Sequence, residues 1–133
     1  MLNPSLFLRR AIQGDAIITG AMAILLVLAA GVLGPILNLP EVFLRQVGLF
    51  LIVYATAVGF LGTRARMPKL AVWVVIIANA VWAFDSIAFL FTGWVAPNLF
   101  GQAFILMQAL SVAAISVLQY VGLKHSTPLT VAH

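Results

Sequence analysis

The chain of 133 residues contains no cysteine and very few charged residues. The absence of cysteine excludes disulfides, thiolate metal ligands and a thiol redox centre within this sequence. Charged residues make up 8% and hydrophobic residues 64% of the chain, whereas ordinary soluble domains have about 25% and about 45–50%. A soluble domain of this size could not keep so much apolar surface away from water. The composition therefore predicts a membrane protein with one domain, over residues 1–133.

Histidine and neighbouring acids are missing from the apolar part of the chain. His125 and His133 lie near the C-terminus, and the acidic residues are Asp15, Glu41 and Asp85. This leaves no pattern for an intramembrane haem, a two-metal site or a pair of catalytic carboxylates. Ser86, Ser111 and Ser116 have no nearby histidine or lysine base, and no glycine-rich phosphate loop occurs. The sequence predicts no catalytic residue, no metal site and no cofactor, and a protein that is not an enzyme.

Long apolar segments, ended by proline or by charge, predict four membrane-spanning helices. Such a helix needs about 20 mostly apolar residues, and the segments lack the alternation of membrane strands. The uncharged stretch after Asp85 is too long for one span, and the turn-forming residues between Thr92 and Asn98 divide it. Every proline then falls in a tail, a connection or a first turn. The predicted helices cover residues 13–33, 41–62, 69–91 and 97–123, with tails at 1–12 and 124–133.

The basic residues predict how these helices are oriented. Six of them fall on one side of the predicted membrane and only Arg45 lies near the other; the six are Arg9, Arg10, Arg64, Arg66, Lys69 and Lys124. Loops rich in lysine and arginine stay cytoplasmic. We therefore expect an all-α, up-down bundle of four transmembrane helices with both termini cytoplasmic, in a membrane of the bacterial inner-membrane type.

A signal peptide is the alternative interpretation of the first apolar segment. The pair Arg9-Arg10 precedes an apolar run that ends in small residues, as in secretory signals. However, Asp15 interrupts the junction, and the run exceeds the about 7–15 residues of a typical signal core. We therefore expect the first helix to remain part of the protein.

Polar residues of the third helix predict a site within the membrane. Asn79, Trp82, Asp85 and Ser86 lie on neighbouring faces of that helix. An unpaired carboxylate at this depth is costly, so Asp85 needs a partner, water or a proton. The predicted cluster is completed by residues at similar depth on the second and fourth helices, namely Arg45, Gln46 and Gln102. It could handle a proton or cation, or it could be a structural ion pair that fixes helix packing.

Two other acidic residues have simpler interpretations. Asp15 opens the first predicted helix, where we expect it to stay hydrated near the membrane surface and to favour the helix dipole. Glu41 and Arg45 are four residues apart, which favours an ion pair at the start of the second helix.

The fourth helix carries a stripe that predicts contact with another chain. Gln108, Val112, Ile115 and Gln119 share one face, separate from the small residues that would pack within the bundle. An amide facing lipid would lack hydrogen-bond partners. We therefore expect this face to contact a second copy of the chain or a larger membrane protein.

Two functions fit these features. The first is a non-enzymatic accessory or structural subunit of a membrane complex, because little of the chain lies outside the membrane. The alternative is a small oligomeric transporter or channel for a proton, a cation or a small amphiphile, with Asp85 at its site. The expected surroundings are the lipid bilayer and a protein partner. No nucleic acid is expected, because the basic residues flank the spans and form no continuous patch.

Overall fold

A computed structural model describes residues 2–93 and 95–128, and these residues form an all-α fold of four helices, with one pair of two-residue strands near the chain ends. The helices are α1 (Leu6–Leu37), α2 (Glu41–Thr63), α3 (Lys69–Phe89) and α4 (Leu99–Lys124). All four are long and apolar enough to cross a membrane, by length and composition. The chain is therefore a multi-pass membrane protein of the helical type. Residues 129–133 of the predicted C-terminal tail, including His133, lie outside the described residues.

Helix α1 is longer than the sequence indicates. It begins at Leu6, seven residues before the predicted start, because Ser5 caps it: the Ser5 hydroxyl oxygen accepts a hydrogen bond from the Leu8 N–H at 3.1 Å. It also continues past the predicted end and contains Pro35 in its last turn. The expectation that every proline lies in a tail, a connection or a first turn is therefore wrong for Pro35. A proline this close to the end removes only one of the last helical hydrogen bonds.

The two ends of the chain meet the α2–α3 connection at one end of the bundle. Strand β1 (Leu2–Asn3) pairs with β2 (Thr127–Pro128), and Leu2 also exchanges backbone hydrogen bonds with Met67. Since most of the basic residues lie here, we call it the basic end. A core of buried side chains fills it: Leu2, Leu8, Ile12, Val58, Leu61, Met67, Val72, Val75, Ile76 and Leu123.

The other end joins the α1–α2 connection to the start of α4. Asn38 adopts a left-handed conformation (φ 55°) that ends α1, and its side chain donates to the Ala96 carbonyl. Asn98 caps α4 by accepting from the Gly101 N–H at 2.9 Å, and its side-chain amide donates to the Ile36 carbonyl at 2.7 Å. We call this the outer end. Its core contains more partly buried side chains than that of the basic end.

Small residues let α1 lie close to both α2 and α4. A Cβ added at Gly48 of α2 would lie 2.8 Å from a Val27 side-chain atom. One added at Gly122 of α4 would lie 2.7 Å from the Leu8 Cα atom. Helices gain contact in lipid mainly through such close backbone approach. Helices α1 and α2 therefore form the most extensive helix pair.

Helix α2 meets α3 mainly through long side chains. Phe43 stacks on Phe89 and Phe50 stacks on Trp82, with ring centroids 5.2 Å and 5.8 Å apart. Aromatic contacts of this kind span a wider separation than two small-residue faces do. This wider spacing leaves room for cavities between the helices.

Candidate functional site

Polar side chains from all four helices converge inside the bundle toward its basic end. Asp15 and Thr19 come from α1, Tyr54 from α2, Asn79 from α3 and Gln119 from α4. We call these five residues the Asp15 cluster. Asp15, Asn79 and Gln119 are buried, with relative exposures of 2%, 5% and 0%. Every helix therefore contributes a side chain to the surroundings of one carboxyl group.

The Asp15 carboxyl group accepts hydrogen bonds on both oxygens. Its Oδ2 accepts from the Tyr54 hydroxyl at 2.9 Å, from Asn79 Nδ2 at 2.9 Å and from Gln119 Nε2 at 3.0 Å. Its Oδ1 accepts from the Thr19 hydroxyl at 3.0 Å. An ionised carboxylate is acceptor-only and has about four lone-pair sites, so four donors match it well.

The partners of Asp15 also contact one another. Asn79 Nδ2 donates a second hydrogen bond, to Gln119 Oε1 at 2.9 Å. The Tyr54 hydroxyl lies 2.9 Å from Asn79 Oδ1 as well as 2.9 Å from Asp15 Oδ2. A phenol has one hydrogen, so at any moment it donates to only one of these two acceptors.

No basic side chain compensates the charge of Asp15 in the described part of the chain. The ion pair found there joins Arg45 to Glu41 at 3.0 Å. Arg9, one of two arginines that precede Asp15 on α1, donates instead to the Gly62 and Ala65 carbonyls. A carboxylate buried without a cation is held only by dipoles, which is unusual and often functional in membrane helices.

The cluster assembles because its members fall on the buried stripes of their helices. Asp15 follows Leu8 and Ile12 along the buried face of α1, at spacings of four and three residues. Asn79 follows Val75 and Ile76 in the same way on α3. Each polar residue is thus carried inward by the apolar residues that share its stripe.

A cavity of about 240 Å³ adjoins the cluster. We call it the middle cavity. Thr19, Tyr54 and Asn79 form the part of its wall nearest to Asp15, and most of the remaining wall is apolar. On the far side, Trp82 Nε1 donates to Gln108 Oε1 at 3.0 Å, linking α3 to α4.

A second cavity, of about 320 Å³, lies toward the outer end. We call it the outer cavity. It shares several wall residues with the middle cavity, among them Trp82 and Gln108. Asp85 and Ser86 line it as well. The two cavities therefore adjoin each other between the helices, and their shared wall includes the hydrogen-bonded pair of Trp82 and Gln108.

The structure divides the site predicted on the third helix. Trp82, Asp85 and Ser86 line the outer cavity, whereas Asn79 belongs to the Asp15 cluster. The division follows from helix geometry: Asn79 lies on the buried stripe of α3, and Asp85, six residues later, lies on an exposed face.

The partners predicted for Asp85 are engaged elsewhere. Arg45 pairs with Glu41, as its spacing predicts; Gln102 donates to the Pro97 carbonyl at 3.3 Å; and Gln46 is exposed. Among residues 2–93 and 95–128, no side chain donates a hydrogen bond to Asp85. The expected direct hydrogen bond from these three residues is therefore not found in the described structure.

The stripe predicted to contact another chain faces the interior of this one. Gln119 is fully buried in the Asp15 cluster and Gln108 is bonded to Trp82. Val112 and Ile115 line the middle cavity. Both amides have hydrogen-bond partners within this chain. Gln108, Val112 and Ile115 remain partly exposed.

Sequence reasoning missed the central position of Asp15. The expectation that it stays hydrated near the membrane surface is wrong, because α1 starts earlier than predicted and the basic-end core covers it. A signal was present. Asp15 and Gln119 each lie five residues from the nearest basic residue at the same end of their helices, which places them at a similar depth.

Comparison of the chain with protein-family models, with curated proteins and with solved structures finds no match.

Proposed function

We propose that the helices form an up-down bundle with both termini in the cytoplasm of a bacterial-type inner membrane. Contacts at both ends of α1 support the alternation. Gln13 lies beside Gly62 at the end of α2, whereas Gly34 lies beside Glu41 at its start. Likewise Leu8 lies beside Gly122 near the end of α4 and Leu37 beside Gly101 near its start. The orientation is supported by the excess of basic residues at one end.

Reporter fusions test this topology. Reporters placed after residues 38, 66, 95 and 133 should read outside, inside, outside and inside. An inside reading at position 38 or 95 would contradict the proposed orientation.

We propose further that the chain is a small, non-enzymatic transporter that binds an amphiphile between its helices and exchanges one proton at Asp15. One observation carries this proposal: a buried carboxyl group without a cation lies directly behind the wall of a cavity. Tyr54 and Asn79 belong to both the wall and the cluster, so a molecule in the middle cavity could alter the hydrogen bonds of Asp15.

A count of hydrogens supports proton exchange. Six donor–acceptor contacts connect the members of the Asp15 cluster. With Asp15 ionised, the single Tyr54 hydrogen serves only one of its two contacts. A proton added to Oδ2 of Asp15 could be donated to the Tyr54 oxygen, and Tyr54 could then donate to Asn79 Oδ1. One added proton thus lets all six contacts be hydrogen bonds, and the arrangement suits both protonation states.

The proposed path runs from the outer end toward Asp15. The outer cavity and the middle cavity succeed one another, and the basic-end core closes the route beyond the cluster: Leu8, Ile12 and Met67 have no exposed surface. Transport would require this core to open in a second conformation.

A non-enzymatic accessory subunit is the second candidate. It is favoured by the satisfaction of the polar groups: in the described part of the chain, no buried side-chain nitrogen or oxygen lacks a hydrogen-bond partner. A fully connected polar network of this kind can have a purely structural role, because it specifies how the four helices pack.

Purification from native membranes separates the two candidates. A transporter should purify alone or as a homo-oligomer, and in liposomes carrying a pH-sensitive dye it should move protons. Asp15→Asn should abolish that movement, while Glu41→Gln, at an exposed ion pair, should retain it. A stoichiometric larger partner, with no proton movement by the isolated chain, would instead support the accessory subunit.

A further inference from the structure

The outer cavity combines a carboxyl group with aromatic walls. Phe43, Trp82, Phe89 and Phe104 contribute rings, and Asp85 contributes the charge. Phe43 and Phe89 stack with ring centroids 5.2 Å apart and an interplanar angle of 15°, so one face of each ring packs against the other ring. Phe43 belongs to α2, Trp82 and Phe89 belong to α3, and Phe104 belongs to α4. Aromatic surface therefore reaches the cavity from three helices.

Asp85 lacks a partner within the described chain. No described side chain donates to it, and the nearest hydroxyl along α3, that of Ser86, donates to the Trp82 carbonyl at 2.7 Å. A carboxylate beside an apolar cavity in a membrane protein gains from any cation that can enter. The site thus has a negative charge to be neutralised and little polar surface with which to do so.

The wall chemistry restricts what that cation can be. A hard metal ion such as Ca²⁺ or Mg²⁺ takes about six or more oxygen ligands, and this wall offers few besides Asp85. A neutral amphiphile would leave the carboxylate unpaired. An organic cation with an ammonium group and an apolar part fits both the carboxylate and the aromatic wall, because aromatic ring faces attract organic cations.

We propose that the outer cavity binds a lipophilic ammonium ion, with its charge on Asp85 and its apolar part against Phe43, Trp82 and Phe89. This inference rests on the proposed transport function, since it names the class of molecule that would enter the path. The cavity volume of about 320 Å³ suits a small organic cation. Exchange of such a cation at Asp85 against a proton at Asp15 would balance charge across the bundle.

The test uses two compounds of the same shape. Benzyltrimethylammonium carries the charge, and neopentylbenzene is its neutral isostere. Binding of each to the full-length protein in nanodiscs is measured by calorimetry. Wild-type protein should bind the ammonium more tightly than the isostere. Asp85→Asn should weaken ammonium binding by about tenfold or more and leave the isostere unchanged.

The control variant is Glu41→Gln. Glu41 is an acid at the same end of the bundle, but it is half-exposed and paired with Arg45. It should therefore bind benzyltrimethylammonium as the wild type does. Equal weakening by Glu41→Gln would show a general surface-charge effect and overturn the proposal. So would unchanged binding in Asp85→Asn, equal affinity for the two compounds, or no ammonium binding by the wild type.

Asp15→Asn separates this inference from the proposed transport. It should keep ammonium binding and lose only proton movement in liposomes. Ammonium binding without any proton movement would support the outer site and overturn the transport proposal. Proton movement that depends on Asp15, without ammonium binding, would overturn the outer site alone.

Discussion

The basic end and the outer end of this bundle treat their aspartates differently. At the basic end, Asp15 is buried and receives hydrogen bonds from all the residues of its cluster. At the outer end, Asp85 is exposed, has no donor among the described residues and lines a cavity. The basic-end core consists mostly of buried side chains, while partly buried ones predominate at the outer end. The contrast shows that the basic end packs closely around its carboxyl group, whereas the outer end leaves a cavity beside its own.

Replacing each aspartate by alanine should give the largest difference in the free energy of unfolding between the two ends. Asp15→Ala removes the acceptor of four hydrogen bonds and strands the Asn79 and Gln119 amides inside the bundle. We expect a loss of about 2–4 kcal/mol in the free energy of unfolding, measured in detergent micelles. Asp85→Ala should change it by no more than about 0.5 kcal/mol, because Asp85 is exposed.

From the sequence alone, Asp85 is the aspartate expected to need a partner within the membrane, so its replacement would be expected to cost more than that of Asp15. Similar losses for the two variants would show that the ends do not differ in the way proposed. Asp15→Asn is an informative intermediate, because an amide keeps one acceptor for the surrounding donors.

Glycines of the basic end should respond to added methyl groups in opposite ways. At Gly122 a Cβ would lie 2.7 Å from the Leu8 Cα atom, so Gly122→Ala forces backbone to move. We expect a destabilisation of about 1–3 kcal/mol. At Gly14 a Cβ would meet nothing within 4 Å, and Gly14→Ala should stabilise α1 by up to about 1 kcal/mol.

Thermal unfolding of both glycine variants checks this prediction. If Gly122→Ala proved neutral, α1 and α4 could not be packed as tightly as the structure has them.

The hydrogen bond between Trp82 and Gln108, in the wall shared by the two cavities, should contribute less to stability. Trp82→Phe removes the hydrogen bond to Gln108 Oε1 but keeps an aromatic ring against Phe50. Gln108 retains its hydrogen bond to the Ile105 carbonyl. We expect a loss of about 1 kcal/mol in stability, together with faster access of small apolar molecules to the middle cavity. The rate at which an apolar fluorescent probe enters the middle cavity would measure that access, and an unchanged rate would argue against Trp82 as a barrier between the cavities.

The exposed ion pair of the outer end, between Arg45 and Glu41, should contribute least to stability. The Arg45 and Glu41 side chains are 45% and 50% exposed, and water screens their attraction. Glu41→Gln should therefore alter the unfolding free energy by no more than about 0.5 kcal/mol. A larger loss would mean that this pair helps to hold the outer end together.

Much of the fold could be predicted from the sequence, but the site could be predicted only in part. The starts of α2 and α3 agree with prediction, because proline and charge mark them directly. Asn79 and Gln119 were recognised as residues that need protein partners, but the partners themselves were not identified. Tyr54 gave no signal, since a tyrosine within an apolar run resembles any other aromatic residue.

The sequence alone determined that the chain forms four apolar helices, because a backbone in lipid must satisfy its hydrogen bonds within each spanning segment. It also determined where the positive charges gather. Only the tertiary structure decided that Asp15, and not Asp85, lies at the centre. The start of α1 set the depth of Asp15, and close packing at Gly48 and Gly122 set how the helices are rotated. The depth of a residue and the rotation of a helix arise from contacts between helices, so the sequence of a single apolar segment does not determine them.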